Sequence, residues 1–189
     1  MALNTQISKF QSALAGGGAR PSLFAFSITG GPAGTSGGLA DVNMLCSVSA
    51  LPGLSVTPIE RHYYGRVAKI PGDMVFGDLS TTIINTENFS IRKPLEDWMN
   101  KINNTGTNYG YSDSTSAFGT VTLTQYNKVG KSLLTWTFVD CWPTTIAEIA
   151  LSYDTASDIE TFDVTWAYNY YTQAKGDAST ITTNAGKQN

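Results

Sequence analysis

Alternation with a period of two runs through most of this chain and commits it to strands. From Thr161 to Tyr171 the sequence reads TFDVTWAYNYY, with Phe162, Val164, Trp166, Tyr168 and Tyr170 on one side and Thr161, Asp163, Thr165, Ala167 and Asn169 on the other. Successive side chains of a strand point to opposite faces, so this run predicts one long strand with a single buried face. Gly119 to Asn127 and Ser132 to Val139 alternate in the same way around NKVGK, where Gly130 can supply the positive φ of a turn, so the pair predicts a hairpin. Leu23 to Thr29, Val42 to Ser49, Tyr63 to Ile70 and Leu79 to Asn85 are rich in β-branched and aromatic residues and bring the expected strands to about seven.

One segment breaks the pattern. Between Ser90 and Asn103, Ile91, Leu95, Trp98, Met99 and Ile102 recur at helical spacing and share one stripe. Pro94 suits a first turn, Glu96 and Asp97 follow it, and Lys101 lies near the end, which predicts a helix over 94–102. The segments 16–18, 29–38 and 103–118 are rich in Gly, Ser, Thr and Asn and read as loops. At 189 residues the chain suits one domain, expected over 1–172. The polar stretch 173–189 is expected to be a flexible tail in the monomer.

Charge narrows the function. Only 14% of the residues are charged, where about 25% is usual, while 17 are Ser and 24 are Thr. The surface is therefore hydroxylic or covered by something else. With 12 Lys and Arg against 15 Asp and Glu, the chain lacks the basic excess of a direct duplex reader. The longest uncharged stretch, 21–40, is interrupted by Pro32 and five Gly, so no membrane-spanning helix is expected. The start, MALNTQISKF, has no basic residues leading into an apolar run, so no secretory signal is expected.

No residue set assembles a reaction centre on paper. Gly130-Lys131-Ser132 ends like a phosphate loop, but Gln125 stands where the first Gly belongs and the segment lies between two strands. His62 is the sole histidine and has no adjacent nucleophile. Asp154, Asp158, Glu160 and Asp163 do not follow calcium-loop spacing and read as a solvated acidic edge. Asn88-Phe89-Ser90 and Asn103-Asn104-Thr105 match the glycosylation acceptor, which matters only in a secreted eukaryotic protein. Cys46 and Cys141 are too few for a disulfide framework and read as reduced core residues. Trp98, Trp136, Trp142 and Trp166 with nine Tyr allow a glycan-binding face, yet Trp98, Trp136 and Trp166 fall in register with apolar faces, as do Phe162 and Tyr168, and read as core. Neither an enzyme nor a cofactor or metal site is expected.

Three ordered blocks carry a resemblance. Arg20-Pro21-Ser22-Leu23-Phe24 opens it. The middle block comprises Ala50-Leu51-Pro52-Gly53, Tyr64-Gly65-Arg66, Ile70-Pro71-Gly72-Asp73, Phe76, Asn88 to Arg92 and Leu95 to Asn100. Cys141-Trp142-Pro143, Ile146, Glu148, Leu151 to Asp154, Ile159 to Phe162, Val164 and Tyr168 close it. In this order, over some four fifths of the chain, they resemble the tail tube proteins of contractile-tailed bacteriophages; the sequence departs from a minimal member at 30–38, at 103–118 and in its polar tail. The resemblance implies a mainly β fold of two packed antiparallel sheets, sandwich- or barrel-like, with a flanking helix, shared in outline with the tube protein of type VI secretion systems. It further implies a structural virion protein: hexameric rings joined edge to edge and stacked into a hollow tube, assembled in the host bacterial cytoplasm. A sheath protein would lie outside, baseplate and terminator proteins at the ends, and DNA would pass through the lumen without specific binding.

Two site expectations follow from that resemblance. The stretch 51–73 has no clean periodicity over its first half and is expected to be the extended loop or hairpin that reaches the next ring, with Leu54, Val56, Pro58, Ile59, Arg61, His62, Tyr63 and Tyr64 as contacts. Attraction to phosphate scales with contacting Lys and Arg, so lumen positions are expected on polar strand faces, at Thr122, Thr124, Asp163 and Thr165. Alternatives are a secretion-system or other contractile-particle tube, which would conduct proteins, and a β-sandwich carbohydrate-binding module. Only the tube readings predict rings or hollow rods.

Overall fold

A computed structural model of the chain describes residues 4–14, 17–32, 39, 41–110, 114–155 and 158–176. Strands dominate. In chain order the elements are α1 (Asn4–Ala13), β1 (Phe24–Gly30), α2 (Val42–Leu45), β2 (Cys46–Ala50), β3 (Leu54–Tyr63), β4 (Arg66–Phe76), β5 (Leu79–Ile84), α3 (Arg92–Ile102), β6 (Gly119–Tyr126), β7 (Ser132–Ile146), β8 (Thr161–Ala167) and β9 (Tyr170–Lys175). Among the described residues, seven strands form one antiparallel network in the order β1-β6-β7-β8-β5-β2, with β9 also on β7, while β3 and β4 pair only with each other.

The 15-residue strand β7 turns this network into two packed layers. Its first half pairs with β6 and β9, its second half with β8. The bend lies at Asp140, which has φ 54°, opposite a register shift between Gly119 and Val121. An extra residue on one strand is a β-bulge and forces such a corner. Asn169 locks it: its amide donates to the Val139 carbonyl at 3.2 Å and its Nδ2 to Asp140 Oδ2 at 2.9 Å. One layer is therefore β1-β6-β7-β9 and the other β7-β8-β5-β2.

This corner corrects the single strand expected over 161–171. The chain crosses from one layer to the other at Tyr168 and Asn169, and the alternation changes phase there. Phe162, Val164 and Trp166 face the core before the break; after it Tyr171 packs against the core and Tyr170 is exposed. β9 also continues to Lys175, beyond the start expected for the polar tail at Gln173. Backbone pairing of Gln173 with Trp136 and Lys175 with Leu134 needs no apolar side chain. The remainder of that expected tail, 177–189, lies outside the described residues, as do 33–38 of the Gly-rich segment.

Three further expectations change. The segment 42–49 begins as the short helix α2 before β2. The segment 63–70 straddles a reversal at Tyr64-Gly65, so its halves belong to β3 and β4. The first helix, α1, was not foreseen, although Ile7, Phe10 and Leu14 have helical spacing. The expected hairpin is β6–β7, and α3 begins two residues earlier than expected, with Pro94 in its first turn where a missing amide is harmless.

Apolar side chains from both layers and α3 fill one core. Phe26, Val121 and Phe138 from one layer meet Leu79, Ile83, Phe162, Val164 and Trp166 from the other, with Ile91, Leu95 and Trp98 from the helix region. Phe26 and Trp98 pack on Trp166 with ring centroids 6.3 and 6.1 Å away. Of the three buried tryptophans, Trp98 donates from Nε1 to the Ala117 carbonyl at 2.8 Å and Trp166 from Nε1 to Thr81 Oγ1 at 3.0 Å. Burial pushes the Cys46 and Cys141 thiols up to about 12, so both stay protonated.

Candidate functional site

The hairpin β3–β4 is built like the rest of the molecule but packs unlike it. Ten residues at roughly 3.3 Å each give a ribbon about 33 Å long. Every residue of β3 is exposed, and in β4 only Gly72 and Phe76 are partly covered. Alternation sends Leu54, Val56 and Pro58 to one face of β3 and Ile59 and Tyr63 to the other. Cross-strand partners reinforce both faces: Leu54 with Phe76, Val56 with Met74, Ile59 with Ile70. A ribbon apolar on two sides has no solvent face. This explains why the stretch shows no clean periodicity.

Local geometry holds the ribbon's shape. A register shift between Val56 and Pro58 places Gly72 against Thr57, where an added Cβ would stand 2.4 Å from the Thr57 carbonyl oxygen. At the tip Tyr64 and Gly65 both have positive φ, 46° and 77°, the signature of a two-residue turn that matches strand twist. Gly suits such a turn; a tyrosine there is strained by about 1 kcal/mol. Tyr64 is 91% exposed and its ring stands edge-on to Tyr63 at 4.7 Å. Arg61 and Arg66 flank these rings, and neither belongs to an ion pair found among the described residues, whereas Lys69 pairs with Glu60 at 3.3 Å.

The base is anchored. Phe76 lies 6.1 Å from Tyr168 and 5.8 Å from Tyr171, and the Tyr168 hydroxyl donates to the Gly77 carbonyl at 2.7 Å. Desolvation, with smaller contributions from Tyr171, Asp78 and Cys141, pushes the Tyr168 phenol up to about 12, so it remains a donor.

Two hydroxylic faces point away from the core. On the β1-β6-β7-β9 layer, Ser27, Thr122, Thr137 and Thr172 form one cross-strand row, and Thr124 and Thr135 adjoin it with their hydroxyls 3.2 Å apart. On the other layer, Asp163 accepts from Thr82 Oγ1 at 2.6 Å and Thr165 sits beside Ser80 and Thr145. The expected lumen residues are thus split: Thr122 and Thr124 lie on one outer face, Asp163 and Thr165 on the opposite one. Among the described residues, no strand covers the outer edges of β1 and β9.

The expected core residues Trp98, Trp136, Phe162 and Trp166 are buried, and Tyr168 is partly so. The residues expected as ring contacts, Leu54, Val56, Pro58, Ile59, Arg61, His62, Tyr63 and Tyr64, all lie on the hairpin. The eight named positions leave out exposed apolar residues of β4, Val67 and Ile70 within 51–73 and Met74 and Val75 beyond it, and no helix was expected at α1, whose Ile7, Phe10 and Leu14 are exposed. A mixture of apolar residues on both strand faces was the signal available. A cleft of about 660 Å³ separates α3 from the end of β7, bounded by Met99, Ile102, Trp142 and Ile146, with the Arg92–Glu96 pair at 2.9 Å. Trp142, the residue that most invited a glycan reading, is half-covered there by Phe118 at 5.2 Å.

Comparison with known proteins accounts for this architecture. Residues 19–174 match the family model described as phage tail tube protein. Tail tube protein gp19 of Enterobacteria phage T4 is 27% identical over 127 residues, 67% of this chain and 78% of the relative, and the protein of Enterobacteria phage T6 gives the same figures. Two solved structures share the fold. A chain of the sheath–tube complex of the extracellular contractile injection system PVC has a TM-score of 0.60 at 18% identity, covering 87% of this chain and 97% of its own. A chain of the anti-feeding prophage baseplate has 0.62 at 8%, covering 84% and 96%. With the family model spanning nearly all of the described body, the chain belongs to the phage tail tube protein family.

Proposed function

We propose that this protein is the repeating subunit of the inner tube of a contractile phage tail, a structural component and not an enzyme. Subunits join into hexameric rings, rings stack into a hollow tube, a sheath surrounds it, and baseplate and terminator proteins close its ends. DNA leaves through the lumen. The observation that carries this reading is the β3–β4 hairpin, which exposes Leu54, Val56, Ile59, Tyr63, Tyr64, Val67, Ile70, Met74 and Val75 at once. An isolated two-stranded ribbon is marginal in water, so its apolar faces imply neighbours on both sides. Relatives recognisable in sequence are phage tail proteins, which favours a phage tail over an injection particle or a glycan-binding module.

The layer β1-β6-β7-β9 is the candidate for the lumen wall. Its two uncovered edges can pair with neighbours, and ring closure removes the hazard of free edges. Its outer row, Ser27, Thr122, Thr137 and Thr172, carries no charge, so phosphates find no cation to bind. Asp163 and Thr165, on the opposite face, then look away from the channel. Cysteine introduced at Thr122 should be shielded from a bulky thiol reagent in assembled tubes, and cysteine at Thr165 should stay reactive until a sheath is added; the reverse pattern assigns the lumen to the other layer.

Negative-stain electron microscopy tests the whole reading. Purified protein should form rings and hollow rods of uniform diameter. Deleting Val56 to His62 should leave a folded protomer that no longer polymerises; rods of normal length from the deletion variant would refute the role given to the hairpin.

A further inference from the structure

The hairpin and an open groove lie at opposite poles of the same layer. β2 and β5 run antiparallel, with Ala50 beside Ser80 at one end and Cys46 beside Ile83 at the other. The hairpin is inserted between Ala50 and Leu79 and therefore leaves from the first end. At the second end α2 leads into Cys46 and the chain leaves Ile84 through Thr86, Glu87, Asn88 and Ser90, and these segments enclose a groove of about 640 Å³. Met44 forms its apolar wall and is 87% exposed, while Asp41 and Glu87 supply negative charge. Arg92 and Lys93, which follow in α3, are already paired with Glu96 and Asp97.

Tip and groove are complementary. The tip presents two aromatic rings between Arg61 and Arg66; the groove presents a thioether and an aliphatic wall, Met44 and Leu45, between Asp41 and Glu87. Thioethers pack well against ring edges, and opposite charges at the rim set orientation and partner choice more than affinity. The left-handed backbone at Tyr64 fits the same picture. A tip whose task was only to reverse the chain would carry Asn or Gly there, so the strain points to a ring that is needed for contact.

We infer that the hairpin tip of one subunit docks in the Asp41–Met44–Glu87 groove of a second copy of this chain in the adjacent ring, a head-to-tail contact. Such a heterologous contact does not close on itself but repeats along an axis, which is what rod growth requires. The inference rests on the tube reading and names its receptor surface and charge pattern.

Charge reversal tests it. The variants R61E/R66E and D41R/E87R alter exposed side chains only, so each should fold, melt like the parent and still form rings. Each alone should lose rods, and mixing the two variants, or combining all four substitutions in one chain, should restore them. Rods from both double variants alone would overturn the docking while leaving the tube reading intact, and failure of the four-substitution chain to regain rods would overturn the pairing of these two surfaces. Parent protein that forms neither rings nor rods would overturn the tube reading and this docking with it.

Discussion

The corner of β7 and the hairpin β3–β4 use the same materials to opposite ends. Both are antiparallel strand pairs with a register irregularity, a residue at positive φ and a run of aromatic and β-branched side chains. At the corner these side chains converge: Phe138 meets Tyr168 at 4.9 Å and Tyr171 at 5.6 Å, and Asn169 ties the bend to the next strand. On the hairpin they diverge, because a two-stranded ribbon with no third layer has nowhere to bury them. Strand pairing alone thus does not make a core; a second layer does. The corner belongs to the stability of the protomer; the hairpin, exposed along its length, is where the proposed assembly would supply the missing layer.

The largest effects should separate the two regions. Trp166→Ala removes a fully buried ring that contacts both Phe26 and Trp98, and should cost the protomer about 3 to 5 kcal/mol, read as a large fall in the urea midpoint. Ile59→Ser with Ile70→Ser removes an exposed cross-strand pair, and should change protomer stability by less than about 0.5 kcal/mol while abolishing rods. A hairpin variant that lowered the midpoint as far as the core variant would erase the distinction.

A smaller effect lies at the junction of the two regions. Tyr168→Phe deletes the bond to Gly77 that ties the hairpin base to the corner, and should cost about 1 kcal/mol. The phenol also titrates. Its folded value is raised to about 12 against an ordinary 10, so the unfolded chain gives up the proton first. The associated stability is complete below pH 10 and is lost as pH rises from 10 through 12. Thermal melts across that range should show a decline that Tyr168→Phe reduces; identical slopes for parent and variant would place the titration elsewhere.

Legibility in the sequence followed the reach of the forces involved. The β6–β7 hairpin and α3 were readable because alternation, helical spacing, Gly130 and Pro94 act within a few residues. The break at Asn169 was not, because TFDVTWAYNYY is an uninterrupted pattern and the interruption comes from Asp140, 29 positions earlier in the chain. The hairpin was half readable: its apolar content and lack of single-sided periodicity marked it as unusual, while its register, its reversal at Tyr64 and its partnership with Val67, Ile70 and Met74 depend on pairing across the turn. For the lumen candidates, alternation identified outward polar residues on each strand but carried no information on which outward face belongs to which layer.

By itself the sequence determined that this chain is a mainly β domain with a flanking helix, low in charge and rich in hydroxyls, with Trp98, Trp136, Phe162 and Trp166 committed to a core. Those properties are sums over local preferences and survive any rearrangement of the strands. Only the tertiary structure decided that β7 bends to serve two layers, that Thr122 and Asp163 look in opposite directions, and that a basic aromatic tip and an acidic groove stand at opposite poles. These depend on contacts between residues far apart in sequence, where the geometry of the bulge at Asp140 and the closure of the core, not local propensity, set direction.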